Sequence, residues 1–199
     1  MIITSFCEGD MQDYHEFLDE IIITEDVLQN RIWELGQEIS RDYQGKNLHL
    51  ICILRGGVLF LTDLIRQITI PNTIDFMAVT SYGVGARKST GHVRITLDLQ
   101  EDIRGRDVLL IEDIVDSGYT ITTVMEFLNT RHPNSLKICT LLDKESRREI
   151  EVPLHYRGFV IPDKFVFGYG LDADEYYRNL PFIGVLATDR YKSVKDSTP

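Results

Sequence analysis

The sequence predicts an α/β protein built on a central, mainly parallel sheet flanked by helices. Three observations point there. Short apolar runs at 48–54, 107–111 and 136–142 have the length and continuity of strands buried on both faces. Stretches with apolar residues at helical spacing lie between them. Glycine or proline marks most of the changeovers. Strands alternating with helices imply parallel pairing through crossover helices. The 199 residues suit a single domain. A chain this long buries enough surface to fold without a metal or disulfide staple.

The elements follow in order. Residues 1–20 are acidic and weakly patterned. Thr24 followed by Glu25 and Asp26 reads as a helix start, a capping hydroxyl and then negative charge at the positive end of the dipole. Leu28, Ile32, Leu35 and Ile39 carry that helix, and Gly45 suits its stop. Residues 48–54 are a buried strand broken by Gly56-Gly57, and 58–68 read as a helix. A strand follows at 73–80. Residues 81–91 are polar, hold three glycines and read as a loop. Val93, Ile95, Leu97 and Leu99 alternate as in a half-buried strand. The strand at 107–111 ends in Glu112-Asp113, and after Asp116-Ser117-Gly118 a helix runs over 119–131, stopped by Pro133. Strands at 136–142, beyond 158 and at 182–187 complete the chain. Ligands of such sheets bind beyond the carboxyl ends of the strands. That directs attention to 54–57, 112–120, 143–144 and 163–172.

Composition narrows the function. The net charge is −10, which argues against a protein that coats nucleic acid, because phosphate neutralisation dominates such binding. A small anion is still allowed, since backbone amides or a few arginines can hold one. No apolar run reaches the ~18 residues of a membrane span, and the start lacks a basic region followed by an apolar stretch. A cytoplasmic protein without membrane contact is expected. Cys7, Cys52 and Cys139 are too scattered for a disulfide framework or a metal site, so buried thiols are expected. His15, His49, His92, His132 and His155 show no metal-ligand spacing and read as surface or strand-flanking.

Residues 108–120 hold the chemistry. A buried strand brings Glu112 and Asp113 to the sheet edge; a tight turn of small residues follows, and then a helix N-terminus. Backbone N–H groups of such a turn suit a phosphate, and Ser117 and Thr120 add hydroxyl donors. The carboxylates suit the two hydroxyls of a ribose, or waters around Mg²⁺. Phosphate and sugar diol in one place make a phosphoribosyl site.

This stretch resembles the phosphoribosyl-diphosphate signature of the type I phosphoribosyltransferases. Leu54-Arg55-Gly56-Gly57 resembles the pyrophosphate loop of their hypoxanthine-guanine branch, and Ser81-Tyr82-Gly83 the head of that branch's mobile loop. Residues 161–172 (IPDKFVFGYGLD) resemble its purine-recognition segment, followed by Glu175-Tyr176-Tyr177-Arg178. The resemblance runs from about 23 to 187. It implies the type I phosphoribosyltransferase fold, with a core of about 40–160 and a small hood subdomain from the N-terminal segment and about 161–190.

The implied reaction moves 5-phosphoribose from 5-phosphoribosyl 1-diphosphate to N9 of hypoxanthine or guanine with Mg²⁺, releasing pyrophosphate. The resemblance implies these roles. Asp116 lies beside the purine N7 as general base. Ser117, Gly118, Tyr119 and Thr120 wrap the 5′-phosphate, while Glu112 and Asp113 hold the ribose diol and metal waters. Arg55, Gly56, Gly57 and Arg178 meet the pyrophosphate. A cis peptide is implied between Leu54 and Arg55. Lys144 donates to O6, which suits a 6-oxopurine and not adenine's amino group. Phe165 stacks on the base, the Val166 backbone meets its edge, and Lys164 reaches O6 or the pyrophosphate side. Asp172 binds Mg²⁺, and Ser81 and Tyr82 close as a lid. Members of this branch commonly form homodimers or homotetramers. Two other readings stay open: a regulator that senses phosphoribosyl diphosphate, and a transferase for another base such as xanthine.

Overall fold

The computed structural model describes residues 12–81 and 93–193. Tyr82, Cys7, His92 and the loop beyond Ser81 fall outside them. The elements are α1 (Tyr14–Phe17), β1 (Leu18–Ile23), α2 (Glu25–Asp42), β2 (Leu48–Leu54), α3 (Gly57–Gln67), β3 (Asn72–Ser81), β4 (Val93–Leu97), β5 (Asp107–Val115), α4 (Tyr119–Asn129), β6 (Ser135–Asp143), β7 (Tyr156–Val160), β8 (Val166–Phe167) and β9 (Ile183–Leu186). One turn of 3₁₀ helix, Glu145–Arg147, follows β6.

Six strands form a sheet in the order β4-β3-β2-β5-β6-β7. All pair in parallel except β4, an antiparallel edge strand. The alternation of strand side chains divides the core between two faces. Leu50, Cys52, Leu109 and Ile111 pack with α2 and α3. Ile51, Ile53, Val108 and Leu110 pack with Ile121, Val124 and Leu128 of α4. Runs that look uniformly apolar in sequence are thus two interleaved stripes serving two helix layers.

A second, antiparallel sheet of order β1-β9-β8 makes the hood of the expected fold. Phe17, Phe167, Leu180 and Leu186 fill its own small core, with the Phe17 and Phe167 rings 5.3 Å apart. The N-terminal segment is therefore patterned after all. Asp13 accepts a hydrogen bond from the His15 N–H to start α1, and β1 runs beside β9. The partner strand lies some 160 residues away, which no local pattern announces.

Other expectations are corrected in detail. Helix α2 starts where expected, but the Thr24 side chain makes no capping hydrogen bond; its backbone carbonyl accepts from the Leu28 N–H. β5 continues through Val115 instead of ending in Glu112-Asp113, because β6 pairs with it as far as Val115↔Asp143. His49 is not at the surface; it is fully buried in β2, its Nδ1 2.8 Å from the Thr73 hydroxyl. Cys52 and Cys139 are buried free thiols, and burial raises both pKa values.

Candidate active site

The carboxyl ends of β2, β5 and β6 deliver the predicted residues of 55–57, 112–120 and 144 to one rim of the sheet. Arg55 follows β2, Asp116 follows β5, and Lys144 follows β6. β5 lies between β2 and β6, which brings these three strand ends together.

Glu112 and Asp113 are neighbours near the carboxyl end of β5. Glu112 lines a pocket of about 110 Å³ with Asp116, Ser117, Gly118 and Thr120. Its Oε2 is buried without a hydrogen-bond partner. Burial, reinforced by the Asp113 charge, raises its pKa well above the usual carboxylate range. Asp113 lies against Gly56, within electrostatic reach of Arg178 and Asp172. Burial pushes its pKa up to about 6, although its Oδ1 accepts the Ile114 N–H at 2.8 Å.

The 116–118 turn owes its shape to the segment after β6. The Val115 carbonyl accepts the Lys144 N–H at 3.0 Å. The Asp116 carbonyl accepts Arg148 Nη1 at 2.6 Å. The Ser117 carbonyl accepts the N–H groups of Glu149 and Ile150 at 3.0 and 3.1 Å. In a trans peptide the N–H points opposite to the carbonyl. The N–H groups of Asp116, Ser117 and Gly118 therefore all turn away from 144–150. The first-turn N–H groups of α4 follow, with no carbonyl partner inside the helix. This row of donors at a helix N-terminus is an anion cradle. Gly118 has φ +95, and a Cβ there would lie 2.7 Å from the Ile150 oxygen. Only glycine fits.

The peptide bond between Leu54 and Arg55 is cis, as the resemblance implies. A Cβ on Gly56 would fall 1.5 Å from Asp113 Oδ2, and one on Gly170 2.2 Å from the Gly56 oxygen. The 55–57 loop is thus held between β5 and the hood, with glycine at both contacts.

Several charged groups of the rim are paired with one another. Asp116 Oδ1 lies 2.9 Å from Arg147 Nε, an ion pair without hydrogen-bond alignment, and Arg147 also reaches Asp163 at 3.3 Å. Arg55 and Arg178 lie 3.0 and 3.1 Å from the same Glu175 oxygen. Arg178 further bonds Asp172 at 2.8 Å and the Gly170 carbonyl at 2.7 Å. Lys164 pairs with Glu20 of β1 at 2.5 Å. Lys144 is buried. Its neighbour Asp143, also buried, is held by Arg148 and by Arg157, the latter at 2.9 Å. Phe165 is half exposed beside Val166, which is buried in β8.

Among the described residues no three His, Cys, Asp or Glu come together as a metal cluster. Asp113 and Asp172, on the hood side, still suit Mg²⁺, which is commonly held by one or two carboxylates, waters and substrate phosphates. The sequence reading missed the parts played by Arg147, Arg148 and Glu175. The available signal was an Arg-Arg pair just after Lys144 in an acidic chain.

An anion cradle at a helix N-terminus, a carboxylate pair on the strand feeding it, and a glycine loop beside both thus stand together at one rim of the sheet. The family model for the phosphoribosyl transferase domain matches residues 24–174. The hypoxanthine phosphoribosyltransferase of Salmonella typhimurium is 50% identical over 167 residues, covering 83% of this chain and 93% of the relative. The hypoxanthine-guanine phosphoribosyltransferase of Dictyostelium discoideum is 49% identical over 177 residues, covering 87% and 98%. A solved hypoxanthine phosphoribosyltransferase of Staphylococcus aureus superimposes with a TM-score of 0.86 at 47% identity, covering 92% of this chain and all of that one. The chain belongs to the phosphoribosyltransferase family, on its hypoxanthine-guanine branch.

Proposed function

We propose that this chain is a purine salvage enzyme moving 5-phosphoribose from 5-phosphoribosyl 1-diphosphate to N9 of hypoxanthine or guanine, giving IMP or GMP and pyrophosphate. The turned row of N–H groups at 116–118, beside Glu112, carries this reading.

The 5′-phosphate lies in the cradle of Ser117, Gly118, Tyr119 and Thr120, and Glu112 and Asp113 accept from the ribose hydroxyls. Arg55, the Gly56 and Gly57 amides and Arg178 take the diphosphate. Asp172 and Asp113 would hold Mg²⁺, which when bound would supply positive charge beside the diphosphate. As the C1′–O bond breaks, C1′ gains oxocarbenium character. Stabilising the leaving polyanion is then the main task of the site. Asp116 takes the proton from N7 as N9 bonds to C1′. Lys144 donates to O6, the Val166 backbone meets the edge of the base and Phe165 stacks on it. Ser81 and Tyr82 head a lid that excludes water. We read the chain as one domain, cytoplasmic and homo-oligomeric, whose partners are these small molecules and not nucleic acid.

The test is a spectrophotometric screen of hypoxanthine, guanine, xanthine and adenine with phosphoribosyl diphosphate and Mg²⁺. Turnover of hypoxanthine or guanine but not adenine is expected. Turnover of xanthine alone would shift the substrate. No turnover, with nucleic-acid binding that responds to purine nucleotide, would make the chain a regulator.

A further inference from the structure

Arg55 and Arg178 come from different parts of the chain, the turn after β2 and the hood. They nevertheless converge on one atom, Glu175 Oε2, at 3.0 and 3.1 Å. Two guanidinium groups brought so close repel unless an anion lies between them. We infer that Glu175 is a built-in counter-anion. It gathers the two arginines in the ligand-free chain and yields them to the incoming diphosphate, and so sets the affinity for that ligand. It is a positioning residue acting through Arg55 and Arg178. This inference rests on the diphosphate site proposed above.

The surrounding backbone supports it. Asp174, Glu175 and Tyr177 have φ of +52, +74 and +66, a left-handed course that non-glycine residues rarely take. The Glu175 N–H is tied to Asp172 Oδ2 at 2.8 Å. Paired Ala173 and Tyr176 backbone groups close the turn. The carboxylate is thus presented by a constrained turn, unlike a side chain drifting in solvent. The exchange is also inexpensive. Arg55 and Glu175 are 72% and 49% exposed, so their pairing is weakened by water and a more highly charged diphosphate displaces it.

The test is calorimetric titration with inorganic diphosphate and Mg²⁺. Glu175→Gln keeps the shape and one acceptor but drops the competing charge. It should bind diphosphate about fivefold more tightly than the unaltered chain, with a matching fall in KM for phosphoribosyl diphosphate. Glu175→Asp, which keeps the charge, should lie closer to the unaltered chain. Arg178→Ala should weaken diphosphate binding at least tenfold. Unchanged or weaker binding by Glu175→Gln overturns the inference. Absence of diphosphate binding by the unaltered chain, or binding indifferent to Arg178→Ala, instead overturns the site assignment.

Discussion

Asp113 offers a test of the site that needs no substrate. Burial in β5 against Gly56 raises its carboxyl from 3.8 to about 6. A carboxyl with a raised folded pKa contributes stability below its unfolded pKa, and that contribution is lost as pH rises through the folded value. The gap of about two pH units corresponds to about 3 kcal/mol. Roughly 1.4 kcal/mol of it is lost between pH 5 and pH 8. Asp113→Asn keeps an oxygen for the Ile114 N–H and does not titrate. It also relieves the neighbouring Glu112, whose pKa the Asp113 charge helps to raise. The variant should therefore gain on the unaltered chain as pH rises. For a chain of this length the gain between pH 5 and pH 8 is about 3–6 °C in melting temperature. The assay is thermal or urea unfolding of both proteins across that range. A difference that stays flat with pH, or shrinks toward pH 8, would show that Asp113 is not desolvated and would remove the reasoning.

Other expectations concern the turn and the base. Asp116→Asn should lower turnover by orders of magnitude while nucleotide binding, followed by calorimetry, persists, because shape survives and basicity does not. Near-normal turnover would exclude Asp116 as the base. Lys144→Ala should weaken hypoxanthine binding and relax the rejection of adenine, measured as the ratio of kcat/KM for the two bases. Gly118→Ala should cost about 1–3 kcal/mol in urea unfolding, since φ +95 strains alanine and its Cβ meets the Ile150 oxygen at 2.7 Å. It should also raise KM for phosphoribosyl diphosphate; unchanged stability would mean that the 149–150 segment moves freely.

Much of this molecule was legible in the chain itself, for reasons of short range. Apolar runs must be buried, and parallel strands need crossovers, so the six-stranded sheet and its helices follow from local patterns. So does the 112–120 stretch, because a strand, a glycine turn and a helix N-terminus are contiguous and together make a phosphate cradle. Only tertiary structure decided the rest. β1 finds β9 across the length of the chain, and β6 extends β5 beyond its apolar run. Arg148 and the 149–150 amides turn the cradle's donors outward. Glu175 collects two arginines more than a hundred residues apart in the chain. Such contacts depend on which distant segments the packed sheet brings to its rim, and sequence spacing carries no record of those distances.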